Sequence, residues 1–184
     1  MLEAFKADLR NMNSTQIMRK YILGGPCHIL DDNQYYRLRE QVCDHLSIEF
    51  TDVMMVGSGK LGFSIKPKKR YVGFGEDSDL DLAVVSESLF ENIWEASYLF
   101  RNSRADWPKA ADFFRYLSLG WIRPDKLPNS RYFEFTDRWW DFFNGITASK
   151  AYGPYKIRGG VYHSMFFLQE YQRICIEQCI EEQS

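Results

Sequence analysis

The stretch Gly75–Ser86, GEDSDLDLAVVS, constrains this chain more than any other segment. Asp79 and Asp81 alternate with Leu80 and Leu82, and Ala83, Val84 and Val85 continue as an apolar run. Alternation with a period of two specifies a strand whose leucines face a core and whose carboxylates share the opposite face. Along such a strand the two carboxylates stand roughly 6–7 Å apart. At an effective dielectric near 20 their repulsion is about 2–3 kcal/mol. Solvent or a bound cation has to offset that cost.

The remainder of the chain is able to bury such a strand. Its 184 residues are 45% hydrophobic and 16% aromatic, which suits one domain with a substantial core and excludes a disordered protein. A net charge of −2 gives no global basic field, so any polyanion contact must come from a local patch. No apolar run approaches the length of a membrane helix, and the N-terminal MLEAFKADLRNMN is no secretion signal, so a cytoplasmic protein without a membrane partner is expected. Cys27, Cys43, Cys175 and Cys179 form no CxxC pair and read as buried, reduced thiols.

Residues 1–50 read as a helical lead-in, 51–86 as a strand–turn–strand unit and 87–184 as a mainly helical remainder of the same domain. STQIMRKYIL opens on the cap candidate Ser14 and stops at Gly24-Gly25-Pro26. The next helix spaces Tyr35, Leu38, Val42 and Leu46 along one face. DVMMV is a short β-prone run ending in GSGKLG. Beyond the aspartate strand, Ser86 or Ser88 caps a helix and Pro108 opens another. WIRPDKLPNSR reads as a loop, Thr136 as a cap, and Trp139, Phe142 and Phe143 as core. YGPYKIRGGVYHS mixes β-prone and turn residues, with Tyr152, Lys156 and Arg158 able to approach a nucleotide. The fold class is α+β with few strands. His28, His45 and His163 show no pattern for a triad or a metal site and read as structural.

GSGKLG satisfies G-x-G-x-x-G at Gly57, Gly59 and Gly62, which raises a dinucleotide site. The context argues against it. Pro67 and the basic run KPKKR arrive where a full helix is needed, and Asp79 and Asp81 begin their strand rather than end it. A phosphate-binding loop fails too, because Leu61 follows Lys60 where Ser or Thr is required.

MMVGSGKLGFSI followed by SDLDLAVV instead resembles the DNA polymerase β-like nucleotidyltransferase superfamily, whose signature is an apolar strand, Gly-Ser or Gly-Gly, then Asp-x-Asp or Asp-x-Glu. The likeness spans Asp52 to Ser86. It implies a small mixed sheet flanked by helices and a metal-dependent transfer of a nucleoside monophosphate from an NTP or dNTP to a hydroxyl. It further implies that Asp79 and Asp81 are catalytic and hold Mg²⁺ or Mn²⁺, a pair of such ions stabilising both the attacking and the leaving oxygens. Gly57 and Ser58 would then hold the phosphate tail, with Lys60 as a point charge on it.

Two features depart from the pattern. Twenty residues separate Ser58 from Asp79, more than the family usually has, and the excess is the basic loop KPKKRYVGFGED. Lys66, Lys68, Lys69 and Arg70 are there as candidate triphosphate or nucleic-acid contacts, with Tyr71 and Phe74 interleaved for stacking. The second departure is the third carboxylate that the family carries on a later strand. Glu134 in RYFEF, alternating with aromatics, is the candidate, ahead of Asp137 and Asp125. The chain is too short for the fingers and thumb of a replicative polymerase. Acceptors left open are a nucleic-acid 3′ end, an oligonucleotide signal, a small molecule and a protein side chain. The long form of the signature is similar to stand-alone bacterial enzymes of toxin–antitoxin and antiviral-defence settings. The alternative is a catalytically silent nucleotide-binding module or antitoxin subunit acting through a protein partner.

Overall fold

The computed structural model describes residues 1–129 and 131–182. Four strands form one mixed sheet in the order β1-β2-β4-β3, where β1 is Val53–Val56, β2 Asp79–Val85, β3 Trp121–Ile122 and β4 Lys156–Tyr162. β1 and β3 run antiparallel to their neighbours, while the central pair β2 and β4 is parallel. The expected α+β class with a small mixed sheet and flanking helices is therefore what the chain adopts.

The period-two pattern of β2 sorts the molecule into two cores. Leu80, Leu82 and Val84 face helices α3 (Asp32–Leu46), α5 (Glu87–Asn102), α6 (Ala110–Leu117) and α7 (Glu134–Ser149). Each is almost fully buried, which stabilises the fold by about 1.5–3 kcal/mol per side chain. Ala83 faces the opposite way, toward α1 (Leu2–Leu9), α2 (Ser14–Met18) and α8 (Met165–Glu181). Asp79 and Asp81 share that side by alternation.

Side-chain caps set the starts of α2, α3 and α5. Asp31 and Gln34 close a capping box on α3, which the sequence reading had not singled out, and on α5 the expected cap Ser86 accepts the Leu89 N–H on its hydroxyl. Other boundaries differ from expectation. Asn13 rather than Ser14 caps α2, which passes at Arg19–Leu23 into a π-helical turn. α6 begins after Pro108, at Ala110. Thr136 lies inside α7 and donates its hydroxyl hydrogen to the Pro128 carbonyl, so it anchors the preceding loop instead of capping.

The sheet takes two strands from the stretch expected to be mainly helical. β3 begins the segment read as a loop, its pairing cut short by Pro124. β4 contains Gly159 and Gly160 in mid-strand, not in a turn. A Cβ at Gly159 would stand 2.7 Å from the Trp139 and Phe143 rings, and one at Gly160 2.6 Å from Trp121 Nε1. The missing side chains let aromatic rings lie against both faces of β4. Trp139 and Phe143 are buried core as expected, and Phe142 stacks on His45 with ring centroids 3.8 Å apart.

Candidate functional site

β1 ends at Val56, whose cross-strand partner is Asp81. The chain then turns at Gly57 with φ +64°, in the left-handed region that favours glycine, and enters the short helix α4 (Gly57–Leu61). A Cβ at Gly57 would stand 3.4 Å from Asp81 Oδ2. The glycine turn and the aspartate pair are therefore neighbours, and the absent side chain leaves room beside the carboxylate.

The carboxylates are already matched by the chain's own cations. Arg158 on β4 donates from Nε to Asp79 Oδ2 at 2.8 Å. It is the register partner of Asp81, so it meets the pair from the adjacent strand. Lys66 Nζ lies 3.9 Å from Asp81 Oδ2, with 65% of its side chain exposed. The loop carrying it is pinned by backbone bonds from Ser64 N to Val72 O and from Phe74 N to Gly62 O. Desolvation holds the Asp81 carboxyl above the usual carboxylate range, and Asp79 adds to the rise, while Lys66, Arg158 and Arg123 oppose it. On the same side of the sheet, burial pushes the Tyr171 hydroxyl of α8 up to about 12, with Cys175 and Asp81 adding to it.

Several expected contributors stand elsewhere. Lys60 points inward: its side chain is buried, Nζ donates to the Gly25 carbonyl at 2.7 Å, and burial lowers its pKa. It braces the loop before α3, its nitrogen taken up by the Gly25 carbonyl. Arg70 is likewise drawn under α8, donating to the Gln178 carbonyl and pairing with Glu182. Lys68 is exposed in a 3₁₀ turn over Pro67–Lys69. Ser58 follows Gly57 at the start of α4, half-buried.

Glu134 is not on a strand. It opens α7 as an exposed first-turn acid, a position that the helix dipole favours. The aromatics around it alternate only locally: Phe133 is buried before the helix, and the helical period takes over from Glu134. Asp137 is exposed one turn on, and Asp125 is held by Arg123 and Lys126. The later strand beside β2 thus presents Arg158 to the aspartate pair, not a third acid. Tyr152 donates its hydroxyl hydrogen to Gln41 and is structural. Arg158, expected from the sequence to be able to approach a nucleotide, meets the Asp79 carboxylate, a pairing the sequence did not indicate.

A second charged group escaped the sequence reading. Glu87 and Glu91 on α5 face His163, with ligand atoms all within 4.8 Å, a set that could hold a metal ion. This corrects the expectation that no histidine belongs to a metal pattern. The i, i+4 spacing of Glu87 and Glu91 was visible, while His163 joins them only through the pairing of β2 and β4. The cysteines are free thiols as expected, with Cys27, Cys43 and Cys179 buried and Cys175 half-buried. No described helix is long and apolar enough to cross a membrane. Comparison of the chain with protein-family models, with curated proteins and with solved structures finds no match.

Proposed function

We propose that the Asp79–Asp81 end of the sheet binds a divalent cation with a nucleoside triphosphate and transfers the nucleoside monophosphate to a hydroxyl acceptor, releasing pyrophosphate. The observation that carries this reading is the adjacency of the Gly57 turn and Asp81, with a Cβ-sized space between them. The donor set fits a hard cation: two carboxylates on one strand face, one of them still 35% exposed. Mg²⁺ or Mn²⁺ in such a site supplies neutralisation of the phosphate oxygens. Asp79 and Asp81 anchor it, and the backbone at Gly57 and Ser58 approaches the phosphate tail. Lys66 and Arg158, both substantially exposed, are positioned to exchange their carboxylate contacts for phosphate oxygens.

One observation favours a second reading. β4, the strand beside β2, brings Arg158 and no acid to the aspartate pair, and Glu134 is at the start of α7. A site with this charge balance suits a module that binds a metal-nucleotide without turning it over, acting through a protein partner.

The test is pyrophosphate release with each NTP and dNTP in Mg²⁺ or Mn²⁺, with products resolved by mass. Wild type is compared with Asp79→Ala/Asp81→Ala. Release that falls at least ~100-fold in the double variant supports the enzyme, and the product mass separates nucleic-acid, oligonucleotide, small-molecule and protein acceptors. Aspartate-dependent nucleotide binding without release supports the silent module. Binding or release indifferent to both aspartates overturns both readings.

A further inference from the structure

The opposite end of the β2–β4 pair carries a site of different chemistry. Ser86 follows β2, and its backbone N–H donates to the Tyr162 carbonyl at 3.1 Å, which ties the start of α5 to the end of β4. Glu87 and Glu91, at i and i+4, then share one helical face turned toward His163. The His163 backbone is fixed in turn, its N–H donating to the Gly120 carbonyl at 3.0 Å. Its ring is gripped edge-on by Phe90 and Phe167, with centroids 5.1 and 5.8 Å away and interplanar angles of 90° and 89°.

The ring is thereby aimed. Nδ1 is buried and meets no partner among the described residues, which leaves Nε2 as the nitrogen turned to the carboxylates. Nε2 lies 3.9 Å from Glu87 Oε1 and 3.8 Å from Glu91 Oε1. Those separations are too long for hydrogen bonds. Four-coordinate zinc, with ligands about 2.0–2.2 Å from the ion, sets its donor atoms roughly 3.3–3.6 Å apart. From Nε2 the excess is a few tenths of an ångström, and the two carboxylate oxygens lie within 4.8 Å of each other; both glutamates are more than half exposed, so their side chains can move to close these gaps. Neither glutamate pairs with a lysine or arginine among the described residues. This contrasts with Asp79 and Asp81, each of which has a cation in place.

We infer that Glu87, Glu91 and His163 form a binding site for a first-row divalent ion of the zinc class, with a fourth position open to solvent. One imidazole nitrogen with two carboxylates selects such an ion over Mg²⁺, which prefers an all-oxygen octahedron and retains its water. The site lies about 20 Å along β2 from the aspartate pair, at ~3.3 Å per residue, so one ion cannot serve both. Binding fastens the first turn of α5 to the end of β4.

The experiment titrates the full chain with Zn²⁺ by calorimetry and with Co²⁺ by visible absorption. It is run in an Asp79→Asn/Asp81→Asn background so that the other end cannot contribute. One Zn²⁺ per chain, a four-coordinate Co²⁺ band and a thermal midpoint that rises with Zn²⁺ are expected. His163→Ala should weaken binding at least ~10–100-fold, the range that even outer-shell losses produce. Glu91→Gln, at an exposed position that leaves the fold intact, should do the same and is checked by circular dichroism. Absence of binding in the background protein, or binding unchanged by both substitutions, overturns the proposal. Because the aspartates are already replaced, failure here leaves the nucleotide site untested by this assay and separately answerable by pyrophosphate release.

Discussion

The two ends of the central strand pair solve the same electrostatic problem in opposite ways. At the start of β2, Asp79 and Asp81 are balanced by Arg158 and Lys66 from β4 and the basic loop. Just past its end, Glu87 and Glu91 face a histidine and no lysine or arginine among the described residues. The first arrangement lowers the cost of two carboxylates on one face, but any incoming cation must displace resident ones. The second leaves charge to solvent and an imidazole nitrogen within reach. Oxygen-only donors with competing arginine and lysine suit a hard ion that arrives with phosphate. A nitrogen-bearing set without competitors suits a borderline ion that binds alone.

The comparison depends on β2 being a stiff spacer, and the largest expected effect tests that. Leu82, 2% exposed, packs into the core on the dry face of the strand. Leu82→Ala should cost about 2–5 kcal/mol in chemical denaturation, through lost burial plus the cavity left behind. Both ends should weaken together. If ligand binding at either end survives while stability falls, that end is organised by its local turn rather than by the strand.

Gly57→Ala bears on one end alone. Its left-handed backbone should cost an alanine about 1–2 kcal/mol, and the added methyl, at 3.4 Å from Asp81 Oδ2, fills the space beside the carboxylate. Loss of metal-nucleotide binding with Zn²⁺ binding unchanged is the expected outcome of paired titrations. Arg158→Gln goes the other way. Removing the guanidinium from Asp79 should raise Mg²⁺ affinity in the absence of nucleotide several-fold, a change of about 1 kcal/mol for a partly exposed pair. A fall in Mg²⁺ affinity would show instead that Arg158 positions Asp79. Lys66→Gln should do less, since its nitrogen is 3.9 Å away and its side chain mostly exposed.

The fold class and the sorting of β2 were legible because hydrophobic alternation is a local signal. DLDLAVV carries its own face assignment, and VMMV before Gly57 its own end. The strands of the C-terminal half were harder. Gly159 and Gly160 look like a turn until Trp139, Phe143 and Trp121 are seen lying against them, and those residues are distant in sequence. The aspartate end was half legible: the Gly57–Asp81 adjacency follows from the antiparallel pairing of two strands that are consecutive in the chain, whereas the Arg158 pairing follows from a parallel crossover of some seventy residues, Ser86 to Tyr155. Lys60 was assigned to the phosphate tail through the resemblance of the Gly57–Ser58 signature, and only the packed position of α4 shows its side chain turned onto the Gly25 carbonyl. Glu134 was misread because RYFEF alternates over five residues, too few to separate a strand from the entry to a helix. Of the Glu87–Glu91–His163 group only the i, i+4 glutamates were visible, and His163 joins them through the β2–β4 register.

The smallest effect supplies a reference for both ends, a carboxylate–cation pair with no metal to hold. Asp8 accepts hydrogen bonds from Lys20 and the Tyr21 hydroxyl, and these two donors, in that order, hold its carboxyl below the usual value. Tyr21 is pushed up to about 12, first by burial and then by Asp8. A depressed acid pKa in the folded state contributes stability that is fully present above the unfolded value, about 3.9. That contribution is lost as pH falls through the lowered folded value. Asp8→Asn should therefore lower the thermal midpoint at pH 6 and flatten the acid limb, the two curves meeting below the folded-state pKa. Neither Zn²⁺ nor Mg²⁺ should alter that difference. A metal-dependent change in the Asp8→Asn difference would mean that α1 responds to a ligand bound at an end of the strand pair, and the two ends could no longer be treated as independent of the helices that cover the sheet.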